Sequence, residues 1–167
     1  GGGAIGSWLR QVGLEFHGAI GGLSHRTHLE VSDTTCQEGG FGSSGSKPNC
    51  AYEHPIYATG YRYKGRAIGH GMDGDGLSYS LGSTLVQSAG HVWNVSIRYM
   101  ELNREGPNQP AHTITPTAKD LTDIQLTHER YTKVGRFKIG AGFAELDDKM
   151  TGQSTTDTTV FFQWRSQ

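Results

Sequence analysis

Between His91 and Arg104, the residues Trp93, Val95, Ile97 and Tyr99 occupy alternate positions, interleaved with Asn94, Ser96, Arg98 and Met100. A period of two sends successive side chains to opposite faces, so this stretch reads as a β-strand with one apolar face. The pattern recurs along the chain. Trp8, Arg10, Val12, Leu14 and Phe16 alternate with Gln11, Gly13, Glu15 and His17 on the way to Ile20. After Gly21-Gly22, Leu23, Thr27, Leu29 and Val31 alternate with Arg26, His28 and Glu30 up to Ser32. The two segments and their tight turn predict a hairpin. Leu77, Tyr79, Leu81 and Leu85 alternate with Ser78, Ser80, Gly82 and Thr84. Leu121 to Tyr131 is weaker, with Ile124 and Leu126 on one face. Phe137, Ile139, Ala141 and Phe143 form the next strand, and Val160, Phe162 and Trp164 the last. Roughly seven long strands are visible, and no helical period of comparable strength.

Composition fits such strands. Only 34% of the 167 residues are hydrophobic and 25 are glycine, yet charged residues make up 19% and the net charge is -1. The charge-driven signature of disorder is missing, and the basic stripe that nucleic acid requires is absent. No apolar run approaches the roughly 18 residues of a spanning helix. Turns near Gly21, Ala89 and Val134 are short, while the connections at 33–76, 104–119 and 147–155 are long. Short turns at one end, long loops at the other and ~10-residue alternating strands mark an outer-membrane barrel. The expected fold is therefore an all-β antiparallel meander forming part of such a barrel, with short periplasmic turns and long extracellular loops. Its apolar face meets lipid and its polar face lines the lumen. Phe162 and Trp164 fit an interfacial aromatic girdle. A soluble β-sandwich alternates as strictly and is the competing fold. Bacterial single-chain barrels have an even number of strands. Residues 1–167 are thus expected to be a single partial barrel domain, closed by further N-terminal strands or a partner chain. The Gly1-Gly2-Gly3 opening, without a signal peptide, also reads as a mature, trimmed or partial sequence.

The segment 33–76 has no sustained periodicity and holds both cysteines, Cys36 and Cys50, around a Gly, Ser and Pro loop. A disulfide stapling this inserted loop is expected, in keeping with an oxidising compartment; two unpaired buried thiols are the alternative. From Tyr52 to Gly76 the chain reads YEHPIYATGYRYKGRAIGHGMDGDG, the densest run of aromatic, basic and acidic chemistry it contains.

That run, followed by LSYSLG, resembles the Wzi-type capsule assembly proteins of Gram-negative bacteria. The residues that carry the resemblance are Tyr52, His54, Tyr57, Gly60, Tyr61, Arg62, Tyr63, Gly65, Arg66, Ile68, Gly69, His70, Asp73 and Asp75. Leu102-Asn103-Arg104 and the closing Gln163-Trp164-Arg165 add to it, so the likeness runs from about Leu14 to the C-terminus. It implies the C-terminal part of an outer-membrane β-barrel that holds capsular polysaccharide as a lectin, and it supplies no catalytic residue set.

Sugar recognition uses flat aromatic faces and planar polar groups. Tyr57, Tyr61, Tyr63, Arg62, Arg66 and His70 are the candidate carbohydrate-binding residues, with the guanidinium groups suited to anionic sugars. The same residues also suit a loop that folds into the lumen as a plug, held by its own contacts. Asp73 and Asp75 flank Gly74 at calcium-like spacing but lack the distal Glu of an EF-hand, so turn-shaping is expected ahead of a metal. An enzyme cleaving glycans with Asp73 and Asp75 is the competing function, although two aspartates in one turn do not oppose each other across a sugar bond. The expected function is non-catalytic polysaccharide attachment at the outer membrane, with no metal or cofactor and with polysaccharide and lipid as partners. A soluble carbohydrate-binding module is the alternative.

Overall fold

The computed structural model describes residues 7–38, 45–47, 50–52, 62–64, 66–87, 90–106, 112 and 114–166. Strands β1 (Ser7–Ile20) and β2 (Leu23–Glu38) precede three short pieces, β3 (Gly45–Lys47), β4 (Arg62–Tyr63) and β5 (Arg66–Ala67). Five long strands follow: β6 (Gly76–Gln87), β7 (His91–Leu102), β8 (Lys119–Thr132), β9 (Gly135–Asp148) and β10 (Ser154–Arg165). The long strands form one sheet in the order β1-β2-β6-β7-β8-β9-β10, with β3 attached to β2 and β4-β5 apart as a small hairpin. Every neighbouring pair of long strands is antiparallel. The fold is an all-β antiparallel meander, and the sheet is not closed. Among the described residues the other sheet is the two-stranded β4-β5 hairpin.

Register explains why the alternation matters. One line of facing residues runs Leu14, Leu29, Leu81, Ile97, Ile124, Phe143 and Thr158 across the sheet. The next runs Phe16, Thr27, Ser83, Val95, Leu126, Ala141 and Val160. Each strand's apolar set therefore falls on the same face, as a one-residue slip would not allow. This apolar face is bare: Leu14 is 59% exposed and Val160 is 73% exposed. Near the short turns it carries a ring of aromatics, with Trp93 stacked 4.1 Å from His128 and Phe137 6.3 Å from Phe162, centroid to centroid. On the opposite face the lines are polar or small, for example Glu30, Ser80, Arg98, Asp123, Ala144 and Asp157.

The connections differ from expectation in two places. β2 runs on to Glu38, beyond the end of its visible alternation at Ser32. Ser32, Thr34, Thr35 and Cys36 are all buried; a strand covered on both faces loses the contrast that makes a period readable. The connection expected at 147–155 is also short, because the strands extend to Asp148 and resume at Ser154. The Asp148 carboxylate accepts the N–H groups of Met150 and Thr151 at 2.9 and 3.0 Å and ties the turn. The opposite end has tighter turns still: Gly21 and Gly22, both left-handed (φ 58° and 80°), join β1 to β2.

Candidate functional site

The few buried apolar side chains among the described residues, Cys36, Ala51, Met72 and Leu102, gather at the long-loop end. They sit with buried polar residues Ser32, Thr34, Asp73, Asp75, Ser78, Asn103, His112 and Thr115. On β2, β6 and β7, Ser32, Thr34, Cys36, Ser78 and Leu102 all share the polar-face parity, so the loop folds back over the polar side of the sheet. The chain plugs that end with its own residues.

Thr34 organises the plug from β2. Its hydroxyl accepts the N–H groups of Gly76 and Asp75 at 2.8 and 3.3 Å and donates to the Gly76 carbonyl at 3.3 Å. The Asp73-Gly74-Asp75 turn is thereby fixed where Asp73 and Asp75 have φ of 61° and 126°, conformations a non-glycine residue adopts only when its surroundings hold it there. Gly74 is glycine for a steric reason: a Cβ there would lie 2.6 Å from the Ala51 carbonyl oxygen. Ala51 follows Cys50, and the Cys36–Cys50 disulfide, with Cα atoms 5.8 Å apart, holds this segment to β2. Tyr52 accepts the His70 N–H at 2.8 Å through its hydroxyl while its ring lies where a Cβ on Gly69 would stand.

The carboxylates are committed to this structure. Asp73 pairs with the Arg62 guanidinium at 3.0 Å, with the two side chains 1% and 12% exposed. Asp75 accepts the Glu105 N–H at 2.9 Å, and so joins the turn to the connection after β7. Burial pushes the Asp75 carboxyl above its ordinary range. His112 donates from Nε2 to the Met72 carbonyl at 3.0 Å and accepts the Thr115 N–H at Nδ1 at 3.3 Å. Both ring nitrogens are used as a neutral imidazole uses them, and burial pushes this histidine below its ordinary range. Asn103 (φ 50°) completes the layer by donating to the Thr115 carbonyl at 3.1 Å.

The sequence-predicted residues therefore separate into two groups. Arg62, His70, Asp73 and Asp75 are drawn into the plug. Tyr63 and Arg66 face outward on the β4-β5 hairpin, facing each other across the pair, with Tyr63 68% exposed and the Lys64 ammonium 5.4 Å from its ring. Tyr57 and Tyr61 lie outside the described residues. Among the described residues no three His, Cys, Asp or Glu side chains gather as a metal site. Beside the plug is a recess of about 360 Å³ lined by Glu101, Arg104, Glu105, Lys119, Asp120 and Lys149. Its charges are largely spent on one another through the pairs Arg104–Glu101, Lys119–Asp148 and Lys149–Asp120. Thr34, His112 and Thr115 are the plug residues that sequence reasoning missed. Thr34 lies past the end of the visible alternation, and His112 lies among prolines with no period to place it.

A meandering β-barrel segment with one bare apolar face and a self-plugged end is the class that fold and site define. The model of the capsule assembly protein Wzi family matches residues 8–165, and the chain belongs to that family. Among solved structures, it is similar to the Escherichia coli outer-membrane protein Wzi, described as involved in group 1 capsule assembly and as a carbohydrate-binding β-barrel. The identity is 23% and the TM-score 0.64, over 95% of this chain and 34% of that one. The chain thus spans about a third of that protein's length. No curated protein sequence matches.

Proposed function

We propose that this chain is part of an outer-membrane barrel that holds capsular polysaccharide at the cell surface without cleaving it. The observation that carries the reading is the division of the Tyr52–Gly76 run. Asp73 and Asp75 are buried and hydrogen-bonded, while Tyr63 and Arg66 stand exposed on the β4-β5 hairpin. Asp73 and Asp75, each 1% exposed, have no face for a substrate, and this weighs against glycan cleavage. An aromatic ring beside cationic groups on a protruding hairpin suits a polymer carrying carboxylates. Family membership, the bare apolar face and its aromatic ring near the short turns support a lipid-facing exterior, with the plug at the extracellular end. Further strands from the same chain or a partner complete the wall.

The test is retention of capsular polysaccharide in an affinity gel by detergent-solubilised protein. Tyr63→Ala with Arg66→Ala is expected to lower retention severalfold with the fold intact. Wild-type retention by that double variant would leave the hairpin a purely structural role. Shortening of the polymer during incubation would show an enzyme instead.

A further inference from the structure

We propose that the polar face carries a second glycan site, a trough running along β9 that takes a neutral, hydroxyl-rich oligosaccharide segment. The cavity, about 380 Å³, lies between β8, β9 and β10, around the middle of the strands. Its floor is Ala144 and Gly142. One wall is Asp123, Gln125 and Thr127 on β8; the other is Asp157, Thr159 and Phe161 on β10. Register sets these residues in three facing lines: Asp123–Ala144–Asp157, Gln125–Gly142–Thr159 and Thr127–Gly140–Phe161.

Strand spacing puts the walls roughly 10 Å apart and the first and third lines ~13 Å apart, enough for about two linked sugar rings. The floor is low because its residues lack bulk. Phe161 is large, aromatic and 39% exposed although it sits on the polar face. Its ring lies over Gly140, where a Cβ would stand 2.5 Å from the ring carbons. Only glycine lets the ring lie against the strand at one end of the trough, as a platform for sugar C–H groups. Beyond it Lys138 approaches the ring at 6.0 Å and pairs with Glu129, closing the trough toward the short turns. At the other end two carboxylates face each other across Ala144. Gln125 donates to Asp123 at 3.2 Å, and Arg98 stands on β7 outside the Asp123 wall. An aromatic platform with carboxylate, amide and hydroxyl groups converging on it is the equipment of a sugar pocket. Two carboxylates accept hydrogen bonds from sugar hydroxyls and repel uronates, so this site selects the opposite chemistry to the Tyr63–Arg66 hairpin.

The ligand class rests on the polysaccharide-holding reading, and the experiment separates the two. Full-length protein in detergent is titrated calorimetrically with neutral maltohexaose and mannohexaose and with an anionic hexagalacturonate, alongside the polymer-retention gel. A neutral hexasaccharide is expected to bind and the hexagalacturonate not. Gly142→Leu, whose Cβ has room at 3.6 Å from the Gln125 side chain, fills the trough and abolishes binding. Phe161→Ala and Asp157→Asn, on the exposed β10 strand, each weaken it about tenfold. Tyr63→Ala leaves it unchanged. Polymer retention without binding of either neutral hexasaccharide, hexagalacturonate bound more tightly than both, or Asp157→Asn and Phe161→Ala that bind like wild type would each overturn the trough while the hairpin reading stands. Failure of the wild type to retain polymer would overturn the hairpin reading first.

Discussion

Thr34→Val is the sharpest probe of the plug, because it keeps the side chain's shape and removes one oxygen. That oxygen serves the Asp75 and Gly76 N–H groups and the Gly76 carbonyl, and Thr34 is 3% exposed. Valine offers nothing to either N–H, and water has little access. Each stranded buried donor costs about 1–3 kcal/mol, so the plug loses about 2–6 kcal/mol. At about 1.4 kcal/mol per tenfold, its opening equilibrium rises at least about thirtyfold. Limited trypsin digestion of native protein reads this, since Arg62, Lys64 and Arg66 belong to the hairpin the plug anchors. Cleavage there should accelerate at least tenfold in Thr34→Val and stay near wild type in Thr34→Ser, while cleavage in β7 to β10 is unchanged. Equal digestion rates for Thr34→Val and wild type would refute the assignment of Thr34 as the organiser of the Asp73–Gly76 turn.

Acidification should loosen the same plug. His112 has its imidazole held below its ordinary 6.5; its contribution is complete above about pH 6.5 and is lost as the pH falls through the lowered value. Digestion rates, each normalised to trypsin's cleavage of an unfolded substrate at the same pH, should therefore rise from pH 7.5 to pH 5, and His112→Gln should flatten that response. Asp75, raised by burial, acts in the opposite sense at more acidic pH, where its protonation favours the folded plug. Reduction of the Cys36–Cys50 disulfide, which closes a loop of 14-residue separation, should cost roughly 3 kcal/mol in the chain-entropy model, seen as earlier melting of the loop end. Neighbouring residues on β7 test the two faces. Ile97→Arg should cost about 2–4 kcal/mol of insertion into lipid vesicles and Ser96→Arg very little; equal effects would remove the lipid-facing assignment.

The long strands were legible because a bare apolar face against a polar one leaves full contrast in the sequence, as Trp93 to Tyr99 shows. Legibility failed where the chain covers itself. Thr34, Thr35 and Cys36 continue β2 but are buried on both sides, so no alternation marks them. The hairpin at β4-β5 is too short, with two residues in each strand, to show a period. Within the site, residue types were readable but their commitments were not. Asp73 and Arg62 lie 11 positions apart and Asp75 and Glu105 lie 30 apart. Which carboxylate is spent inside and which arginine stands outside depends on contacts that no local spacing encodes.

Direction is the remaining consequence of the meander. Each long strand reverses the one before it, so β1 and β10, the first and last of seven, point the same way. Joined to each other, or to the opposite edges of a second copy in the same orientation, they would form a parallel seam, with slanted and slightly weaker hydrogen bonds. A fully antiparallel wall needs an odd number of strands inserted between the β10 and β1 edges. Seven further strands satisfy that parity, but a second copy of this sheet supplies them in the antiparallel sense only with its strands inverted relative to the membrane normal.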